Sequence, residues 1–97
     1  MGETLSAQQV TEALTGLTDW SGDPAGIART AQLPTFPAAI NVVDRVAVVA
    51  EDMDHHPDMD IRWRKVTFTC STHSDGGVTS KDIDLARRID EIIEAAR

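Results

Sequence analysis

The feature that most constrains this chain is a long segment in which an apolar residue recurs every three or four positions. A proline follows the segment. Between Phe36 and Met53 the pattern has the period of an α-helix, and it is too long for an ordinary strand. Pro57 cannot continue a helix, and the residue before a proline is steered away from helical geometry. The helix is therefore predicted to end at or before His56. Two adjacent histidines, His55 and His56, leave its C-terminus.

Capping signals predict two more helices. Ser6 and Gln9 form a capping box, and apolar residues at helical spacing follow them, so the first helix should run from about residue 6 to residue 16 or 17. The last helix should open at Thr79, where Asp82 supplies the acid of a shorter capping box. An apolar stripe from Ile83 onward gives this helix a side to bury.

Two pairs of strands are predicted between the helices. A turn-rich segment separates the strands Thr18–Ser21 and Ile27–Leu33, and a second pair is formed by Ile61–Trp63 and Val66–Ser71. The order α-β-β-α-β-β-α predicts one α+β domain over residues 1–97, in which a four-stranded antiparallel sheet has three helices packed on one face. The other face of the sheet is left for solvent or for another subunit.

Composition argues against several classes of function. The net charge of -7 disfavours binding to a phosphate backbone, which needs a basic surface. Arg62, Arg64 and Lys65 form one local basic cluster, interpreted as a solvated strand face. The sequence has no basic and apolar leader and no apolar run of about 18 residues. Neither secretion nor a membrane span is predicted, and we expect a cytoplasmic protein.

The single cysteine, Cys70, excludes an internal disulfide and fits a reducing compartment. It lies inside an alternating strand pattern, so we interpret it as a small buried hydrophobic residue. A catalytic thiol is the less favoured alternative.

Three histidines, His55, His56 and His73, are the candidates for chemistry, and several interpretations compete. A histidine at a helix C-terminus is often only structural, because it interacts well with the helix dipole. A metal site is disfavoured, since adjacent histidines seldom direct both rings at one ion and no spaced ligand motif is present. No Gly-x-Ser-x-Gly elbow supports a serine nucleophile. Acid–base catalysis remains, because an imidazole donates or accepts a proton near neutrality.

Three motifs follow one another along the second half of the chain. They are Glu51-x-x-x-His55-His56-Pro57, then Val66 through Ser71-Thr72-His73, then Gly77-Val78-Thr79-x-x-Asp82-x-x-Leu85-Ala86-x-x-Ile89-Asp90. Together they resemble the pterin-4a-carbinolamine dehydratase family. Trp20 and Ile27-x-Arg29 fit the same family, and the resemblance extends from about Leu5 to Ile93. Each motif alone is weak evidence, whereas the combination is specific.

The resemblance implies the fold predicted above, a homodimer or homotetramer, and an enzyme that needs neither a metal nor an organic cofactor. Family members dehydrate 4a-hydroxytetrahydropterin to the quinonoid dihydropterin, which recycles the product of aromatic amino acid hydroxylases. His55 and His73 would be the catalytic acid and base, with the division between them open. Residues that would line the pterin site or stand behind it are His56, Pro57, Thr72, Ser74, Trp20, Glu51 and Asp82. Because Glu51 lies one helical turn before His55, the two should share a helix face.

In a second interpretation the protein has the same fold but no catalytic activity. The protein would be an interaction module, either a dimerisation cofactor or an assembly factor, that binds a partner through a sheet face or a helix face. The histidines would then be incidental. The intact set of Trp20, His55, His56, His73 and Asp82 favours the enzyme.

Overall fold

A computed structural model describes residues 3–97 and contains the predicted order of elements. They are α1 (Ala7–Leu14), β1 (Ser21–Asp23), β2 (Gly26–Gln32), α2 (Phe36–Met53), β3 (Asp58–Arg62), β4 (Lys65–Cys70), a 3₁₀ turn (His73–Asp75) and α3 (Ser80–Ala96). The strands form one antiparallel sheet in the order β1-β2-β4-β3. The first two residues of the predicted domain lie outside the described residues.

The two central strands divide the sheet into a covered face and an open face. The covered face carries alternate residues that are buried: Ile27, Arg29, Ala31, Val66, Phe68 and Cys70. All three helices contribute apolar side chains to the same core, among them Val10, Val46 and Ile89. The open face is polar, and the hydroxyls of Thr30 and Thr67 lie 2.8 Å apart on it. The prediction of three helices on one face of an antiparallel sheet is confirmed.

The middle helix buries one apolar stripe. Its buried residues are Ala39, Val42, Val46 and Ala50, whereas Phe36, the first residue of the predicted pattern, is 47% exposed. None of the helices within residues 3–97 combines the length and the apolar character needed to cross a membrane.

The first strand was placed too early by the sequence pattern. It is predicted at Thr18–Ser21 but is observed at Ser21–Asp23. The Asp23 carboxylate accepts a hydrogen bond from the amide of Ala25 at 2.8 Å, which starts the turn at Asp23. In the same region α1 ends at Leu14, before the predicted residue 16 or 17.

The third strand also differs from its prediction. The pattern favours Ile61–Trp63, whereas β3 spans Asp58–Arg62 and Trp63 lies in the following turn with φ of 55°. Aspartates are unfavourable inside strands by propensity, but β3 is an edge strand whose exposed side chains tolerate charge. The other two strands begin and end one residue earlier than predicted.

The loop between β4 and α3 is anchored against the turn between β1 and β2. The N–H of Val78 donates to the carbonyl of Pro24 at 2.8 Å, and Thr72 pairs with Gly77 in an isolated bridge. A Cβ at Gly77 would lie 2.5 Å from the Pro24 carbonyl oxygen, so a larger residue does not fit without a backbone shift. The loop that carries His73 is therefore held in place by backbone contacts.

Gly77→Ala is expected to lower the free energy of unfolding by about 1–3 kcal/mol, because the added methyl group would clash with a backbone carbonyl. Gly16→Ala is the matched control, since the nearest atom to its added Cβ is 3.9 Å away. Urea unfolding followed by circular dichroism measures both variants. Equal midpoints for the two would contradict the close approach of this loop to Pro24.

Candidate active site

The C-terminus of α2 is closed by a left-handed residue. Asp54 has φ 50° and ψ 43°, and its N–H donates to the carbonyl oxygens of Ala50 and Glu51. The N–H of His55 donates to the Ala50 carbonyl at 3.0 Å. These bonds form a Schellman motif, in which backbone groups pair around one αL residue at the end of a helix. The helix ends at Met53, within the predicted limit, and the backbone of His55 is held against it.

The two adjacent histidines point to different surroundings. The side chain of His55 is only 10% exposed, and its Nε2 lies 2.6 Å from Oδ1 of Asp82. The side chain of His56 is 57% exposed, and its Nε2 lies 2.8 Å from Oε1 of Glu51. The expected pairing of Glu51 with the face of His55 is wrong, because the chain leaves the helix at Asp54 and turns His56 back toward the glutamate.

Asp82 connects three separate parts of the chain. Its side chain is fully buried, and Oδ2 accepts from the Thr72 hydroxyl at 2.7 Å and from the Thr79 N–H at 2.8 Å. Oδ1 faces His55. The bond from Thr79 is half of a capping box at the start of α3, which confirms that prediction. The same carboxylate therefore caps a helix, fixes the loop after β4 and holds the ring of His55.

The direction of these hydrogen bonds follows from the number of protons available. A hydroxyl donates only one proton, so Thr72, which donates to Asp82, accepts from Thr79 across 2.8 Å. The Thr79 hydroxyl in turn accepts from the N–H of Lys81 at 3.3 Å. With donors on Oδ2, the buried carboxylate has its charge compensated, and Nε2 of His55 donates to Oδ1. The other ring nitrogen, Nδ1, is the one that can accept a proton when the ring is neutral and donate it when the ring is charged.

His73 stands at the start of the 3₁₀ turn and is exposed, as is Ser74 beside it. The residue before His73 is Thr72, whose hydroxyl shares the Asp82 carboxylate with His55. The two segments that carry the predicted catalytic histidines are thus joined through one buried group. Pro57 is buried directly after the histidine pair.

Trp20 lies apart from this cluster within the chain. Its indole N–H donates to Oδ1 of Asp90 at 2.7 Å, and the buried Arg29 donates to the same oxygen at 2.6 Å. Asp90 is eight residues beyond Asp82 on α3, about 12 Å along the axis. Asp90 enters the sequence analysis only as the last residue of a motif, and its contact with Trp20 is not predicted. The available signal was Trp20 itself, because a buried indole N–H normally finds an acceptor.

A concavity lies on the outer side of α2. It has a volume of about 630 Å³ and is lined by Ala47, Val48, Glu51 and Asp52. Of the residues predicted for the site, only Glu51 reaches it, so shape alone does not locate the histidines. Within residues 3–97, no three histidine, cysteine or carboxylate side chains are grouped as a metal ion would require.

Cys70 is fully buried at the end of β4. Burial raises the pKa of its thiol from the ordinary value of 9.0 to about 12, and the negative charges of Asp82 and Asp58 add to the rise. The thiol stays protonated at neutral pH and is a poor nucleophile. Cys70 is therefore a small buried hydrophobic residue, as its strand pattern predicts.

The fold and the site define a class of small α+β proteins in which a buried aspartate holds a histidine just beyond a helix. Residues 3–92 match the family model described as Pterin 4 alpha carbinolamine dehydratase, and the chain belongs to that family. A relative from Nocardia farcinica (strain IFM 10152), named "Putative pterin-4-alpha-carbinolamine dehydratase", is 60% identical over 90 residues, which are 93% of this chain and 95% of the relative. A relative of the same name from Roseiflexus castenholzii (strain DSM 13941 / HLO8) is 53% identical over 93 residues, 96% of this chain and 100% of the relative.

Solved structures of other proteins are also similar to this chain. The crystal structure of a transcriptional coactivator/pterin dehydratase from Brucella melitensis matches with a TM-score of 0.90 and 32% identity, over 94% of this chain and 99% of that chain. A pterin dehydratase-like protein identified as a RuBisCO assembly factor in the alpha-carboxysome matches with a TM-score of 0.63 and 17% identity, over 76% of this chain and 86% of that chain. The second likeness shows the fold alone.

The raised pKa of Cys70 makes part of the stability depend on pH. The contribution of the buried thiol to the free energy of unfolding is fully present below pH 9.0 and is lost as the pH rises toward about 12. The reason is that the unfolded thiol ionises in that range while the folded thiol does not. Cys70→Ala should therefore reduce the alkaline fall in the free energy of unfolding, measured by urea titration at a series of pH values. The same pH slope in both proteins would show that the thiol is not buried as described.

Proposed function

We propose that the protein is a hydro-lyase that dehydrates 4a-hydroxytetrahydropterin to the quinonoid dihydropterin. Membership of the pterin carbinolamine dehydratase family supports the substrate class. The hydrogen bond between buried His55 and buried Asp82 is the single observation that carries the chemistry. The reaction would recycle the pterin released by an aromatic amino acid hydroxylase in the cytoplasm.

The reaction breaks the bond between C4a and its hydroxyl and removes a proton from the adjacent nitrogen. A C=N double bond forms, and the hydroxyl leaves as water. One group must protonate the departing hydroxyl, and another must accept the proton from nitrogen. Both of these steps are proton transfers, one to the hydroxyl oxygen and one from nitrogen, so the chemistry requires neither a metal nor an organic cofactor.

His55 suits one of these roles because its ring is fixed before the substrate arrives. Asp82 holds Nε2 at 2.6 Å, which selects one tautomer and leaves Nδ1 as the ring nitrogen for proton transfer. A preset orientation of this kind lowers the barrier, since the ring does not have to be ordered during the reaction. His73 supplies the second proton-transfer group from the 3₁₀ turn beside Thr72.

The remaining site residues would bind the flat pterin ring. His56, held by Glu51, and Pro57 follow the catalytic His55 in the chain, while Thr72 and Ser74 flank His73. Trp20 contacts Asp90 and would support α3 rather than touch the substrate within one chain. We also propose a homodimer or a homotetramer, the assembly that the family implies for so short a chain.

His55→Ala and His73→Ala should each lower the catalysed dehydration rate by about 100-fold or more, because each variant removes a proton-transfer group. The substrate is generated in situ with an aromatic amino acid hydroxylase, and its ultraviolet absorbance is followed with and without the protein. The uncatalysed decay is subtracted.

Arg87→Ala is the surface control for this assay. Arg87 is exposed and pairs only loosely with Asp84 at 3.4 Å, so its loss should leave the rate unchanged. If the double variant His55→Ala/His73→Ala keeps the full rate of the unmodified protein, the assignment of the reaction to this site fails.

A second function of the same fold is binding to another protein. The similar Brucella melitensis protein is described as a transcriptional coactivator as well as a pterin dehydratase. In this chain, Val48 on α2 is 71% exposed beside a groove of about 280 Å³ that Arg45, Val49 and Ile92 also line.

Arg45→Glu should abolish binding of such a partner, while a variant without the three histidines keeps it. The opposite pattern, measured in a pull-down, would assign the contact to the histidine site.

A further inference from the structure

We propose that Asp54 is a positioning residue that decides which of the two adjacent histidines is held by Asp82. Its left-handed backbone directs His55 toward Asp82 and leaves His56 exposed beside Glu51. The inference rests on the proposed function of the same site and adds to it a residue that does not touch the reacting atoms.

The helical period shows what would happen without the left-handed turn. Each residue of a helix advances about 100° around the axis. Val46 and Ala50 are buried, so Asp54 would be the next residue on the buried side if α2 continued. His55 would lie about 40° from Glu51, whose side chain is 81% exposed, and would face solvent. The αL conformation of Asp54 therefore places His55 on the buried side and leaves Asp54 exposed.

Backbone hydrogen bonds keep this reversal in place. The N–H of Asp54 donates to Glu51 at 3.2 Å and the N–H of His55 donates to Ala50 at 3.0 Å, the two bonds of a Schellman motif. Both depend on the αL geometry of the single residue between them. His55 is thereby fixed twice, by its backbone at the helix end and by its ring at Asp82.

The identity of the residue at this position follows from its backbone. Most non-glycine residues avoid αL because the Cβ comes too close to the following carbonyl oxygen, and glycine, asparagine and aspartate are the residues that adopt it most readily. Asp54 is exposed, so its carboxylate is free of packing demands. The role we assign to it belongs to the backbone, and a residue with the same backbone freedom should replace it.

The test compares Asp54→Val with Asp54→Asn and Asp54→Gly in the full chain. Val is β-branched and disfavours αL, so it should lower kcat by about 5- to 30-fold, the equivalent of about 1–2 kcal/mol. Asn and Gly should keep kcat within a factor of about two, because both adopt αL. Asp52→Val is the matched control, since Asp52 is exposed on the same helix and has ordinary helical geometry.

A spectroscopic readout separates positioning from turnover. The ring N–H of His55, buried against Asp82, should give a slowly exchanging proton signal in nuclear magnetic resonance spectra of the protein without substrate, assigned by its loss in His55→Ala. The signal should weaken in Asp54→Val and persist in the Asn, Gly and Asp52→Val variants. If Asp54→Val does not fold, Asp54→Ala provides the same comparison with a smaller side chain.

Two results would overturn the proposal. One is an Asp54→Val protein, or its Ala substitute, with unchanged kcat and an unchanged His55 signal. The other is a loss of kcat and of the His55 signal in the Asp54→Asn and Asp54→Gly variants, which would assign the effect to the carboxylate and not to the backbone. If the unmodified protein shows no dehydratase activity, the proposed function fails, and the proton signal still decides whether Asp54 positions His55.

Discussion

The buried carboxylate of Asp82 is the interaction on which the rest of the site depends. A charged group without solvent is costly unless donors surround it, and here a backbone N–H, a hydroxyl and an imidazole provide them. Because each donor comes from a different segment, the first turn of α3, the loop after β4 and the exit from α2 are fixed relative to one another. The loss of this group would leave three buried donors unsatisfied, so stability and chemistry are tied to the same atoms.

The elements of the fold were largely predictable because their signals are local. The period of α2, the proline that limits it and the capping box at Thr79 each lie within a few residues. The contacts of the site were not predictable in this way. The partner of His55 is 27 residues away and that of Trp20 is 70 residues away, and no local rule specifies either pairing. The first strand also lies later in the chain than predicted, because the turn that starts at Asp23 outweighs the apolar pattern.

Adjacent residues in a sequence need not share an environment, and the histidine pair shows why. Motif resemblance predicted a role for each residue, but the expectation that Glu51 would face His55 assumed a helix that continued. One left-handed residue changes the direction of the chain, so that His55 is buried and His56 is exposed. Such a residue leaves only a weak mark in a sequence, since aspartate is common in ordinary helices and turns alike.

The length of the acid at the start of α3 serves two contacts, the cap of the helix and the hydrogen bond to His55. Glutamate is the usual acid of a capping box, and a search for a more robust protein would favour it at this position. Its extra methylene would carry the carboxylate past the place where the imidazole now meets it. A consensus-based stabilisation of this helix with glutamate would therefore be made at the expense of the hydrogen bond between Asp82 and His55.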